Sequence, residues 1–164
     1  MGAVKRLKAR KEYKCEKCGA AQEALEDLSI ETVEDLETAI EELDNAQNEA
    51  QEVSDEYNEG ADNIEEYFPS GTPQSEEMRE KADEVSSWAD ELDSAKSDIE
   101  DLKSDIEELQ DEKEKLEEEL EHANITEERR EEIEERLSEI EDEIQEKIDE
   151  AKDKVDEAAS ALNV

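Results

Sequence analysis

Two cysteines and one histidine are the chain's soft metal ligands, and their spacing is the first chemistry to weigh. Cys15-Glu16-Lys17-Cys18-Gly19 is a C-x-x-C-G element. That spacing lets two thiolates face one metal, and the glycine gives the backbone room to turn. The element is half of a zinc knuckle. A structural zinc takes four ligands, and the one histidine, His122, lies far along the chain. Zinc held by Cys15 and Cys18 therefore needs further ligands from a partner protein, from Asp or Glu, or from a second copy, which would make a homodimer. The other reading is a knuckle that holds no metal. Lys14 and Lys17 favour the thiolate form. A redox C-x-x-C normally opens a helix beside a βαβ pattern, and no such pattern is present.

Catalysis finds no support elsewhere. His122 has no nucleophile or orienting group near it in sequence. Carboxylates occur throughout, so no pair stands out as acid and base. A working general acid needs a carboxylate in a dry pocket, and slim helical coils offer none. No glycine-rich phosphate loop is present. The chain is expected not to be an enzyme and to carry no catalytic residues.

Charge is the strongest signal. The 164 residues include 57 Asp and Glu against 19 Lys and Arg, a net of −38. The signs are segregated. Residues 1–18 hold seven cations against Glu12 and Glu16, a net of +5. The remaining 146 residues hold 12 cations and 55 carboxylates, a net of −43. From Cys18 through Met78 there are 20 carboxylates and no Lys or Arg. Ordinary surface helices mix both signs to gain i,i+4 pairs. Three explanations compete: a saline habitat, a solvated helix of skewed composition, and mimicry of nucleic acid, with carboxylates standing where phosphates would bind. Glu31, Glu34, Asp35, Glu41, Glu42, Glu49 and Glu52 are the candidate mimic residues. The basic arm carries Lys5, Arg6, Lys8, Arg10 and Lys11. It has one aromatic, Tyr13, and no groove-reading element, so direct nucleic-acid binding is disfavoured. The arm could equally dock on an acidic surface, this chain's included.

The elements that would position these groups are helices. Leu, Ile, Val and Phe total 29 residues, about 18% of the chain, below the roughly 20% where disorder becomes the default. The apolar spacing nonetheless is regular. Ala24, Leu25 and Leu28 share one face of a short first helix. Ser29 or Thr32 can cap the next. Val33, Leu36, Ile40, Leu43, Ala50, Val53 and Tyr57 then form a seam, with Gln47 as its polar member, ending near Gly60. Tyr67-Phe68-Pro69-Ser70-Gly71-Thr72-Pro73 is the main turn, with Thr72 as N-cap and Pro73 in the first helical position. A second helix runs from about Gln74 to His122. Its seam is Met78, Ala82, Val85, Ala89, Leu92, Ile99, Leu102, Ile106, Leu109, Leu116 and Leu120, with Trp88 beside it. The steps from Ile99 to Ile106 slip by one residue and predict a stammer. After a turn at 123–126, a third helix carries Ile133, Leu137, Ile140, Ile144, Ile148, Ala151, Val155, Ala158 and Leu162.

Folding each hairpin about its turn pairs these seams with apolar partners throughout. Ile140 meets Leu109 and Ile148 meets Leu102 in one. Val53 meets Ala82 and Leu43 meets Leu92 in the other. The expected fold is all-α: an elongated antiparallel three-helix bundle with a projecting coiled-coil hairpin. Its parts are a basic arm with knuckle at 1–19, an acidic helix region at 20–68, a turn at 69–73 and a long antiparallel hairpin at 74–164. No run of about 18 apolar residues can span a membrane. No h-region follows the first basic residues, so no secretory signal is expected.

Lys8-Ala9-Arg10-Lys11-Glu12-Tyr13-Lys14-Cys15-Glu16-Lys17-Cys18-Gly19 resembles the opening of small proteins encoded by tailed bacteriophages and archaeal viruses. In those proteins a knuckle leads an acidic helical region. Ser70-Gly71-Thr72-Pro73-Gln74-Ser75-Glu76-Glu77-Met78, and its continuation to Trp88-Ala89-Asp90-Glu91-Leu92, are similar to the same family. This chain departs from the family pattern after Gly19, where a second knuckle is missing. The family has no settled activity, so the resemblance implies a viral origin and a location in the host cytoplasm or the virus particle. On that basis the expected function is non-enzymatic binding of a host factor or a virus-particle component. The alternative is an acidic nucleic-acid mimic that blocks a host DNA-binding or defence protein.

Overall fold

A computed structural model describes residues 16–162, and these form an all-α helical bundle. Four helices follow in order: α1 (Glu16–Glu26), α2 (Val33–Tyr67), α3 (Pro73–Leu120) and α4 (Glu127–Ser160). At ~1.5 Å per residue α3 and α4 are roughly 72 and 51 Å long. Among the described residues no helix is long and apolar enough to cross a membrane.

The ends of the helices are chemically marked. Asp35 reaches back to the start of α2 and accepts hydrogen bonds from the Thr32 backbone N–H at 2.8 Å and its hydroxyl at 2.9 Å. Thr72 caps α3: its hydroxyl accepts from the Ser75 N–H at 3.1 Å, and the Ser75 hydroxyl accepts from the Thr72 N–H at 2.9 Å. Pro73 fills the first position, where no N–H is missed. Gly71 takes the left-handed φ of 77° that closes the turn before it. Thr126 caps α4 by accepting from the Arg129 N–H at 3.3 Å. Thr72→Ala is expected to cost about 1 kcal/mol. It should lower the urea midpoint without changing the slope; an unmoved midpoint would show that packing alone holds this helix start.

Cross-helix bonds set the directions. On α2 and α3, Ser54 Oγ donates to the Ala82 carbonyl at 2.9 Å, Lys96 pairs with Asp44, and Lys103 with Glu37 at 2.7 Å. On α3 and α4, the Trp88 indole donates to the Ala158 carbonyl at 2.9 Å, Lys154 pairs with Asp98 at 3.0 Å, and Lys147 with Asp105 at 2.7 Å. Numbers rise on one helix as they fall on the other, so each pair runs antiparallel. The short α1 lies across α2 and α4, with Lys17 on Glu56 at 2.8 Å and the Gln22 amide donating to the Ala159 carbonyl at 2.7 Å.

The core departs from the expected seams in five places. Cys18 and Gly19 already lie within helix α1, which buries Cys18, Ala21 and Leu25 while Ala24 is exposed. On α2 the buried line is Leu36, Ala39, Leu43, Ala46, Ala50 and Val53, an unbroken three-four alternation. Ile40 and Gln47 flank it half-buried; the larger side chains at those positions masked the two alanines. The seam expected to end near Gly60 includes one more buried residue, Ala61, and the helix carries on to Tyr67. Trp88 is not beside the core but in it, 2% exposed.

The fifth difference is the stammer. The α3 stripe toward α2 runs Ala82, Val85, Ala89, Leu92, with Lys96 and Lys103 pairing onto α2 from its edge. The stripe toward α4 runs Trp88, Leu92, Ala95, Ile99, Leu102, Ile106, with Asp98 and Asp105 pairing onto α4. Each keeps three-four spacing. The apparent slip is the handover from one stripe to the other, with Leu92 and Ile99 serving both helices.

The continuous core ends at Ile106 and Ile148. Farther out, Ile133 and Ile140 are buried, but Leu109, Leu116, Leu120, Leu137 and Ile144 are only half-buried.

Candidate interaction surfaces

One cysteine of the knuckle, Cys18, lies within the described residues. Cys18 is 2% exposed and sits in the apolar core cluster on the inner face of α1. Cys15 lies outside the described residues. Among the described residues no three His, Cys, Asp or Glu side chains stand together as a metal cluster. His122 is exposed in the turn after α3, at the far end of the hairpin from α1. Cys18 packs as a small side chain of the core. The basic-arm residues Lys5, Arg6, Lys8, Arg10 and Lys11 also lie outside the described residues.

The acidic face is real but not bare. Glu31, Glu34, Glu41, Glu49 and Glu52 are exposed, and Glu42 and Asp35 are half-buried. Asp35 is committed to the α2 cap, where backbone hydrogen bonds from Glu31 and Thr32 hold its carboxyl below the ordinary 3.8. Six other α2 carboxylates receive cations from elsewhere in the fold. Glu37 and Asp44 meet Lys103 and Lys96; Glu52 and Glu56 meet Lys17; Asp62 and Glu65 meet Arg79. Sequence distance hid this. The cations missing between Cys18 and Met78 stand on α1 and α3, opposite the residues they neutralise.

The spacing of what remains decides how phosphate-like α2 is. Its 35 residues carry 14 carboxylates. That is one per roughly 3.7 Å of rise, close to the ~3.4 Å per phosphate of one DNA strand. Removing the six paired groups leaves eight, one per roughly 6.5 Å. Among the described residues, Glu34, Glu41, Glu42 and Glu49 have no cation within 4.0 Å.

The Lys103 hydrogen bond and charge hold Glu37 below the ordinary 4.5, and Lys96 holds Asp44 below 3.8. The same carboxylates raise their lysines above the ordinary 10.5. A carboxyl pKa lowered by folding stabilises above its ordinary value, and that contribution is lost as pH falls through the folded value. A raised lysine pKa stabilises below 10.5 and is lost as pH climbs past the folded value. The cross-helix pairs are thus at full strength between about pH 4.5 and 10.5. Lys103→Met should return the Glu37 carboxyl toward 4.5 in an NMR titration. An unmoved Glu37 would show that the pair is not formed in solution.

The outer part of α3 and α4 is flanked by charge pairs. Arg129 forks onto Glu119 at 2.8 and 3.0 Å, Arg136 onto Glu112 at 2.9 and 3.1 Å, and Lys113 meets Glu141 at 2.7 Å. Between these flanks run the half-buried Leu109, Leu116, Leu137 and Ile144. At the opposite end of the molecule Tyr67 and Phe68 are 78% and 60% exposed. The grooves between helices are open, lined by groups such as Glu91, Asp98, Lys154 and Glu157, or Glu37, Ile40, Glu100 and Lys103. Comparison with protein-family models, curated proteins and solved structures finds no match for this chain.

Proposed function

We propose that this chain is a virus-encoded, non-enzymatic coiled-coil protein that works by binding another protein, a host factor or a component of the virus particle. The supporting architecture is an elongated antiparallel three-helix bundle from which a two-helix coiled-coil hairpin, about residues 107–147, projects. One observation carries the reading. The continuous core stops at Ile106 and Ile148, while α3 and α4 go on with Ile133 and Ile140 buried between them and Leu109, Leu116, Leu137 and Ile144 half-covered. Lower down, α2 covers the equivalent stripe. A partner helix or apolar strip in the same position would complete the hairpin as α2 completes the base. Viral origin rests on the sequence resemblance at residues 8–19 and 70–92.

A second reading, mimicry of nucleic acid by α2, is favoured by Glu34, Glu41, Glu42 and Glu49, which lack a cation among the described residues. It is weakened by the six carboxylates that the fold neutralises. Salt separates the two. The tagged chain should retain its partner from a lysate of its host through a wash at about 1 M salt, where the screening length is about 3 Å. If every captured protein leaves in that wash, and the leavers bind DNA, the hairpin reading fails and the mimic reading takes its place.

A further inference from the structure

The turn between α2 and α3 puts two aromatic side chains in water. Tyr67 ends α2 and Phe68 follows it, and among the described residues these are the exposed large apolar side chains. The turn that carries them is held by hydrogen bonds. The Phe68 N–H donates to the Ile64 carbonyl at 3.0 Å, and the Gly71 N–H to the Phe68 carbonyl at 2.8 Å. Gly71 and the reciprocal Thr72–Ser75 bonds close it, with Ser75 fully buried. Just below, Arg79 ties α3 to α2 through Glu65 at 2.8 and 3.2 Å and Asp62 at 2.7 Å. The Met78 methyl fills the place where a Cβ at Gly60 would stand, so the two helices stay close up to the turn. Aromatic side chains on a held backbone lose little freedom when they bind.

We propose that Tyr67 and Phe68 form an aromatic plug for an apolar pocket with a basic rim on a protein partner. The pocket follows from the residue types: aromatic anchors carry interface energy by filling desolvated pockets. The rim follows from charge. From Glu59 through Glu80 the chain holds seven carboxylates and one cation, Arg79. That cation is already bridged to Asp62 and Glu65. Glu66, Glu76 and Glu77 are exposed on either side of the aromatics. Lys and Arg around the pocket would meet these carboxylates with complementary charge, whereas an acidic rim would be repelled. The same argument disfavours a second copy of this chain, with its net charge of −38. It also disfavours nucleic acid and anionic lipid. An uncharged lipid surface is not repelled, so the test includes one.

The plug is separate from the hairpin surface. Pro73 and Leu116 stand 43 residues apart on α3, roughly 65 Å along the helix. The plug therefore stands or falls without the hairpin's partner. An elongated molecule with a contact at each end can hold two proteins apart at a set distance.

NMR titration of the full chain with a helical peptide of Leu and Lys tests the assignment, because that peptide offers an apolar face with basic margins. A second peptide, with Ala in place of every Leu, has the same charge and no such face. The expected result is saturable amide shifts at 62–76. At those amides the Ala peptide should bind at least about tenfold more weakly, and so should the Leu peptide to a Tyr67→Ala, Phe68→Ala variant. That variant should melt as the native chain does, since both side chains stand in water. A Glu66→Gln, Glu76→Gln, Glu77→Gln variant keeps the plug and should weaken the same site severalfold. The proposal is overturned by shifts that spare 62–76, by Leu and Ala peptides that bind there within about twofold of each other, or by either variant binding as the native chain does. Co-sedimentation with uncharged phosphatidylcholine vesicles is expected to fail. Pelleting that the Tyr67→Ala, Phe68→Ala variant loses would assign the plug to a membrane and also overturn the proposal. Shifts confined to the hairpin would sink the plug and leave the hairpin reading standing.

Discussion

Replacing Ile99 with Asp is expected to unfold the protein. Ile99 is fully buried and lies where the α3 stripe toward α2 and the stripe toward α4 coincide, so its side chain closes the core in both directions. Removing it forfeits about 1.5–3 kcal/mol of apolar burial. The carboxylate in its place would stand in the core, while Lys96 and Lys103, one turn to either side, are already paired with Asp44 and Glu37, and a buried charge without its own partner costs several kcal/mol more. A chain of this kind is stable by only about 5–15 kcal/mol in total, and this one already carries a net charge of −38. Circular dichroism of the variant should show little helix and no cooperative melt. A variant that stays helical and melts cooperatively would mean that Ile99 is not at the meeting point of three helices. Ile144→Asp is the useful contrast. That residue is half-buried farther along the hairpin, where the new carboxylate can reach water, so its cost should be distinctly smaller.

Trp88→Ala is the second large effect. Trp88 is the chain's one tryptophan and is 2% exposed. Its indole N–H donates to the Ala158 carbonyl in the last turn of α4, and that carbonyl also accepts from the Ala161 N–H at 3.3 Å. Truncation to Ala should cost about 3–5 kcal/mol through the cavity it leaves. Trp88→Phe keeps most of the volume and loses the bond, at about 1 kcal/mol. The native protein should also fluoresce with the blue-shifted emission of a dry indole and shift red on unfolding in urea. Native emission already at the red, solvated position would contradict the placement of Trp88 between α3 and α4.

These two residues show what the sequence could reveal. The all-α class, the turns read at 69–73 and 123–126, and the cap at Thr72 were legible because each has a local chemical signature: a threonine hydroxyl, a proline at the first helical position, a glycine able to take a positive φ; for α2 the sequence left Ser29 and Thr32 both open. Ile99 was legible because a large apolar residue in a charged helix has one destination. Trp88 was misplaced because a single seam was traced along α3. A helix that packs on two neighbours has two seams, and Trp88 belongs to the one facing α4. Ala39 and Ala46 were missed for the opposite reason: small residues carry a weak signal beside Ile40 and Gln47, although only small residues let α2 lie close to its neighbours. The acidic face was legible as composition and misjudged as electrostatics. Arg79, Lys96 and Lys103 approach α2 from α3, and nothing local to residues 18–78 announces them. The knuckle spacing was legible, but burial of Cys18 is a tertiary property that spacing does not encode.

The most direct test of the central claim is the salt dependence of affinity between the purified chain and the partner it captures. Binding through the half-covered apolar stripe of the hairpin predicts an affinity that changes little as salt is raised, because dispersion and apolar burial are not screened. It further predicts loss of binding when Leu116 and Leu137 are changed to Glu, and no loss when Glu34, Glu41, Glu42 and Glu49 are changed to Gln. The contradicting result is an affinity that falls by about 10³ or more between 50 and 200 mM salt, as multi-phosphate contacts do, and that disappears with the Glu→Gln set. That outcome would move the contact surface from the hairpin to α2.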